Sequence, residues 1–215
     1  GTDGVLLGAW ATIKQGSVLD IGTGTGLIAI MIAQRSEHAI IDAVEVEKAA
    51  YQQAKENSEN CPWSERITLH HTPIQQFETT KKYDLIISNP PFFVNATKSP
   101  KEKRNAARHT DNLSFDDLIS VAKKLLKPDG IFSVILPATA GEVFNDLAAK
   151  QQFFLNKKCM VKPNFAKPAK RVLMEFSLQD NRLAAEQLTI ETSTRHQYTK
   201  EYLDLTHDFY LNLKG

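Results

Sequence analysis

Cysteine is scarce: Cys61 and Cys159 are the only two, far apart in the chain and in no Cys-x-x-Cys pair. That argues against a disulfide-stapled secreted scaffold and against a structural zinc site, and it points to a reduced, cytoplasmic setting. Long apolar runs are missing too, so the sequence shows neither a membrane-span pattern nor a signal-peptide pattern. Neither sign of charge dominates, with 26 Lys+Arg against 25 Asp+Glu. Bulk electrostatics therefore neither demand nor forbid nucleic acid, and any such binding must come from local patches. The six histidines show no metal-ligand spacing, and His70-His71 reads as a strand end. Internal repeats and low-complexity tracts are lacking. The sequence opens on Gly1 without a methionine and runs at once into Thr2-Asp3-Gly4-Val5-Leu6-Leu7, which predicts that an N-terminal segment precedes it.

What is present is an alternation. With 215 residues, 42% hydrophobic composition and no evident linker, residues 1–215 read as one domain with a full core. Apolar β-rich runs predict strands at 17–21, 40–46, 66–70, 83–88 and 131–136. Helical patterns at 27–34, 48–58, 118–126 and 141–150 are interleaved with them. Ser114 and Asp117 are spaced as a capping box for the third of these helices, and Pro128-Asp129-Gly130 reads as the turn that follows it. Two more strands, 153–161 and 172–178, lie close together and suggest an antiparallel hairpin at a sheet edge. A last helix is expected at 199–213. The pattern predicts an α/β, Rossmann-like fold: a mostly parallel seven-stranded sheet with helices on both faces.

Asp20-Ile21-Gly22-Thr23-Gly24-Thr25-Gly26 follows the first strand and opens a helix. Glycines suit a turn that needs unusual backbone angles and a ligand close to the main chain. In open parallel sheets, ligands lie beyond the carboxyl ends of the strands. A dinucleotide site is the competitor, but its fingerprint is G-x-G-x-x-G, and here Leu27 stands where the third glycine belongs. Asp20 would repel a pyrophosphate, whereas it would attract the ammonium of a methionine moiety. The spacing favours S-adenosylmethionine. Glu45, about twenty residues on, is placed to accept the ribose hydroxyls, although a surface acid at a strand end would look the same. Its neighbour Glu47 can instead cap the following helix.

Asn89-Pro90-Pro91-Phe92 closes the fourth strand. A plain strand-ending turn uses the same residues, but its place one loop from the glycine turn favours a chemical role. An exocyclic amine or an amide has its lone pair delocalised and is a poor nucleophile. Hydrogen bonds to Asn89 Oδ1 and the Pro90 carbonyl would hold that nitrogen with its lone pair toward a sulfonium methyl, so transfer gains from positioning without a strong base. Proline stiffens the carbonyl, and Phe92, with Phe93 beside it, offers a face on which a flipped-out base can stack.

Together with Gly1-Thr2-Asp3-Gly4-Val5-Leu6-Leu7-Gly8-Ala9-Trp10 and Ile74-Gln75-Gln76, these motifs resemble the bacterial tRNA1(Val) adenine-37 N6-methyltransferases. The likeness extends through Cys61-Pro62-Trp63-Ser64-Glu65-Arg66-Ile67 to Tyr198 and Phe209-Tyr210. It implies the class I methyltransferase fold, S-adenosylmethionine as cofactor, and N6 of the adenosine beside the anticodon as target, a base in a single-stranded loop that is easily extruded. Carried over by position, it places Asp20, Gly22, Gly24 and Gly26 along the cofactor, Glu45 on its ribose and Thr2 and Asp3 near its methionine end. Asn89, Pro90, Pro91 and Phe92 would take the base. Relatives often carry an acid before Ile-Gln-Gln for the cofactor adenine; here that residue is Pro73, which leaves the contact to Thr72 or to a backbone group.

Lys98, Lys101, Lys103, Arg104 and Arg108 crowd the loop after the motif, as a substrate loop tracking phosphates would or as a solvated segment would. A second basic cluster, Lys157, Lys158, Lys162, Lys167, Lys170 and Arg171, interleaves with Phe165. The expected partner is tRNA, with no membrane, metal or obligate protein partner. Asn-Pro-Pro-aromatic chemistry also serves methylation of a guanine exocyclic amine in ribosomal RNA or of a protein glutamine amide. A binding module without turnover is a third reading, against which the intact Asp20, glycines and Asn89 argue.

Overall fold

The fold is that of a computed structural model, described over residues 1–91 and 113–211. In chain order it contains α1 (Thr2–Trp10), β1 (Ser17–Ile21), α2 (Leu27–Arg35), β2 (Ile40–Glu45), α3 (Lys48–Glu59), β3 (Ile67–His71) and β4 (Tyr83–Ser88). After these come α4 (Phe115–Leu125), β5 (Leu126–Pro137), α5 (Gly141–Lys150), β6 (Phe154–Asn164), β7 (Arg171–Ser177), β8 (Ala184–Glu191) and α6 (Lys200–Thr206).

All strands join one sheet in the order β3-β2-β1-β4-β5-β7-β6-β8. The first five are parallel. β7 runs against both β5 and β6, and β8 runs with β6, so β6 and β8 share the direction of the parallel set. The chain winds outward from β1 to β3, then returns to lay β4 on the other side of β1. That reversal makes the carboxyl ends of β1 and β4 the natural crevice.

Apolar side chains alternate to the two faces of the strands, and each face is covered. On one side Leu6 and Leu7 of α1, Ile28 and Ile32 of α2 and Tyr202 of α6 pack on Val18, Ile41, Leu85 and Leu173. On the other, Leu118 and Ile119 of α4 and Phe144 of α5 pack on Leu19, Ile86, Phe132 and Phe176. Among the buried acids of the strands, Asp42 is 4% exposed and lies in β2 away from the crevice. His70 Nε2 (2.7 Å) reaches its Oδ1, and Lys81 Nζ (2.9 Å) and the Tyr83 hydroxyl (3.0 Å) donate to its Oδ2. Burial would push its pKa up, but these hydrogen bonds hold it below the ordinary value.

Several elements differ from expectation. The sheet has eight strands, not seven, because β8 adds to β6. Its first half, Ala184-Ala185-Glu186-Gln187, is poor in strand formers, and pairing with β6 outweighs that local preference. The β6–β7 hairpin forms as expected but is not the edge, since β8 lies outside it. β5 starts at Leu126, so Pro128-Asp129-Gly130 is an irregularity within the strand and not a turn before it. The last helix stops at Thr206 and tightens into a 3-10 turn, His207–Phe209.

α1 was not expected at all. Gly4 and Gly8 lower its helix propensity, and it is buried from Gly4 to Trp10, so it lacks the polar stripe that marks an amphipathic helix. Those glycines let it approach α2: a Cβ on Gly8 would sit 2.8 Å from Met31 Sδ. The Ser114–Asp117 capping box is present, and Glu47 caps α3 by accepting from Ala49 and Ala50 N–H.

Candidate active site

The glycine turn leaves β1 on the crevice side. Gly22, Gly24 and Gly26 have φ of 69°, 59° and 82°, in the left-handed region that side chains disfavour. A Cβ on Gly22 or Gly24 would meet no protein atom within 4 Å, so space lies open above the main chain there. Gly22 and Thr23 N–H both donate to Val44 O at the end of β2, at 2.9 and 3.1 Å, which fixes the turn against its neighbour strand.

Beneath the turn, Asp20 is fully buried. Its Oδ2 accepts the Thr23 hydroxyl at 2.6 Å, while Oδ1 has no hydrogen-bond partner. Burial drives its pKa from 3.8 to about 7, only partly offset by the Thr23 hydroxyl and the nearby Ala29 backbone N–H.

Glu45 ends β2 as anticipated, but its carboxylate already holds the backbone. Oε2 accepts Gly24 N–H at 2.8 Å, and Oε1 accepts Val46 and Glu47 N–H at 2.9 and 2.8 Å. A carboxylate has about four acceptor positions, so Oε2 retains one for a hydroxyl. Thr72 lies at the end of β3; its N–H bonds to Glu45 O at 3.1 Å and its hydroxyl turns to Pro73 O at 3.3 Å.

Gly22, Glu45, Val46, Thr72, Ile74 and Pro91 line one cleft, with Gln75 and Leu113 at its margin. Of these, Ile74 and Gln75 belong to the Ile-Gln-Gln motif, whereas Val46 and Leu113 are not expected from the sequence. They follow from adjacency, since they flank Glu45 and the start of α4. A larger hollow of about 270 Å³, lined by Lys14, Asp129, Asn156 and Glu175, sits at the opposite, amino end of the parallel strands. Its buried acid, Glu175, is engaged by Thr12 N–H and hydroxyl at 2.6 and 2.8 Å.

The Asn-Pro-Pro motif meets the cleft from β4. Ile21 and Ser88 are register partners, and the Ser88 hydroxyl donates to Ile21 O at 2.8 Å. Asn89 therefore leaves β4 beside Gly22, one strand spacing (about 4.8 Å) away. Pro90 is buried and Pro91 exposed. Thr2 and Asp3 do not line the cleft. Asp3 is ion-paired with Arg171 at 2.8 Å and ties α1 to the start of β7. Phe92, Phe93, Lys98, Lys101, Lys103, Arg104 and Arg108 lie outside the described residues. Among the described residues no cluster of His, Cys, Asp and Glu could hold a metal, and no helix is long and apolar enough to cross a membrane.

The model of the methyltransferase small domain matches residues 2–142. A predicted O-methyltransferase of Agrobacterium tumefaciens superposes with a TM-score of 0.74 at 20% identity, covering 95% of each chain. A glycopeptide N-methyltransferase complexed with S-adenosyl-L-methionine superposes at 0.58 and 12%, covering 82% of this chain and 95% of that one. Sheet order, glycine turn and these likenesses define a class I methyltransferase. Relatives named tRNA1(Val) (adenine(37)-N6)-methyltransferase are 44% identical in Christiangramia forsetii, over 99% of this chain and 91% of that protein, and 46% in Trichodesmium erythraeum, over 98% and 90%. The chain belongs to the tRNA1(Val) (adenine(37)-N6)-methyltransferase family.

Proposed function

We propose that this protein transfers the methyl group of S-adenosylmethionine to N6 of adenine 37 in tRNA1(Val), acting in the cytoplasm as a single domain. The observation that carries the reading is the register of β1 and β4, which sets Asn89 beside the glycine turn. The names of relatives at 44–46% identity support adenine over a guanine or a glutamine amide.

S-adenosylmethionine supplies an electrophilic methyl on a sulfonium. Gly22 and Gly24 leave room for it along the main chain, and the buried Asp20 carboxyl would lie beneath its positive end. Glu45 would take a ribose hydroxyl on its remaining acceptor position, and Thr72 and Ile74, which line the same cleft, would hold the adenine. Asn89 Oδ1 and the Pro90 carbonyl accept the two N6 hydrogens, which turns the lone pair toward the methyl. Bound there, S-adenosylmethionine would give up its methyl as the C–S bond yields to the new N–C bond, and the nitrogen held by Asn89 and Pro90 would release a proton to water. A weakly basic arylamine needs no strong general base for that last step.

Purified protein with labelled S-adenosylmethionine and bulk tRNA is expected to give N6-methyladenosine on nuclease digestion. Label confined to ribosomal RNA or to protein would overturn the assignment.

A further inference from the structure

The antiparallel half of the sheet returns to the same end as the crevice. Because β6 runs with β5 and β7 against it, the loop joining them emerges at the carboxyl end, with the glycine turn and Asn89. That hairpin tip carries Phe165, 63% exposed, with Lys167 and Lys170 exposed and Lys162 half-buried at its base.

The tip is shaped. Asn164 Oδ1 accepts Ala166 and Lys167 N–H, both at 3.1 Å. Lys170 N–H donates to Val161 O at 2.9 Å, and Lys170 O accepts Ala138 N–H at 3.1 Å. Of the nearby acids, Asp3 is paired with Arg171 at 2.8 Å, and Glu191, the register partner of Asn164 at the end of β8, accepts His196 N–H at 3.1 Å. Among the described residues no carboxylate pairs with Lys162, Lys167 or Lys170. Exposed Arg195, on the loop after β8, extends the same positive rim.

In a chain of formal net charge +1, this is a local concentration of cations around an exposed aromatic ring. Scattered surface lysines have neither the common end of the sheet nor the ring. β7 is two strands from β4 and β6 three. The strands carrying the tip therefore lie about 10–15 Å from β4 across the sheet at the usual strand spacing, and the tip projects beyond the level of Asn89. That is too far to touch the reacting base and suits the nucleotides flanking it.

We infer that the β6–β7 tip is an RNA contact of its own, in which Lys162, Lys167 and Lys170 hold phosphates flanking the target and Phe165 stacks on an unpaired base. It rests on the tRNA reading above. Basic side chains supply sequence-independent affinity with a salt dependence, and an aromatic supplies stacking without one.

The test measures tRNA binding and turnover for the full chain. In Lys162→Ala/Lys167→Ala/Lys170→Ala, KM for tRNA is expected to rise at least about tenfold. The slope of log affinity on log salt should flatten by about 2, at 0.7–0.9 per lost phosphate contact. kcat at saturating tRNA and S-adenosylmethionine affinity should be unchanged. Phe165→Ala should weaken binding about 5- to 100-fold with the salt slope intact, and the triple Lys→Arg variant should restore both readouts. An unaltered KM and slope in the triple Ala variant, with wild-type protein still forming N6-methyladenosine in tRNA, would overturn this surface alone. Failure of the wild type to bind or label tRNA would overturn the functional reading and this surface with it.

Discussion

In the proposed mechanism Asn89 serves the methyl acceptor and Asp20 the methyl donor, so their variants should fail differently. Asn89→Ala removes one of two proposed acceptors for the N6 hydrogens and leaves the cofactor side untouched. Turnover should fall at least about 100-fold, in line with the loss of a positioned transition-state contact, while S-adenosylmethionine affinity by calorimetry stays near wild type. Normal turnover in that variant would remove the motif from the mechanism. Asp20 has a folded pKa raised to about 7 by burial. A neutral acid attracts an ammonium weakly, so cofactor affinity should climb as pH rises through about 7, by up to about tenfold per unit below it, and level off above. Linkage in the unliganded protein has the opposite sense. A carboxyl pKa raised on folding favours the folded state below the unfolded value of 3.8, and that advantage is lost as pH rises through about 7. Asp20→Asn should flatten both profiles, and a pH-independent affinity in the wild type would sink the Asp20 argument.

At the scale of elements, β8 offers the sharpest test. Leu188 is 6% exposed and belongs to the cluster beneath α1 and α2, and Glu186 accepts the Trp10 indole N–H at 2.9 Å. If β8 is an integral strand, Leu188→Ala should cost about 2–5 kcal/mol in urea unfolding; a loss below about 0.5 kcal/mol would make it a surface appendage. The same element shows where sequence reading stops. β1, β4 and α5 were legible almost to the residue because each is an apolar run or stripe bounded by Gly, Pro or a cap. β8 and α1 were not, since Ala-Ala-Glu-Gln in a strand and two glycines in a helix contradict local preference, and only their partners β6 and α2 stabilise them. The site divides likewise. The glycine turn and Asn89-Pro90-Pro91 announce themselves by spacing, whereas the engagement of Asp3 by Arg171 joins positions 168 apart, and no local pattern reports it. Glu45 stood out at its strand end, but its hold on Gly24 N–H did not, because that depends on how closely the turn folds back over β2.

For the molecule as a whole, the cleft draws on the ends of β1, β2, β3 and β4 and on the chain entering α4. A ligand bridging them binds only the folded chain. At about 100 times its Kd, S-adenosylmethionine should therefore stabilise by about 2.7 kcal/mol, or roughly 5–10 °C in Tm for a domain of this size. Asp20→Asn should need more ligand for the same shift, and the lack of any shift at saturation would remove the cofactor from this cleft.

The hydrogen-bonded partnership of Ile21 with Ser88 has a consequence for how the enzyme operates. The two half-sites hang from neighbouring strands in the middle of a sheet covered on both faces, with no hinge between them. Their separation is therefore settled when the chain folds and is not re-established at each turnover. In the proposed reaction the sheet then acts as a fixed template for the two half-sites. Heating should consequently leave the aligned geometry intact until the sheet itself melts, so loss of transfer and loss of tertiary structure should follow one curve.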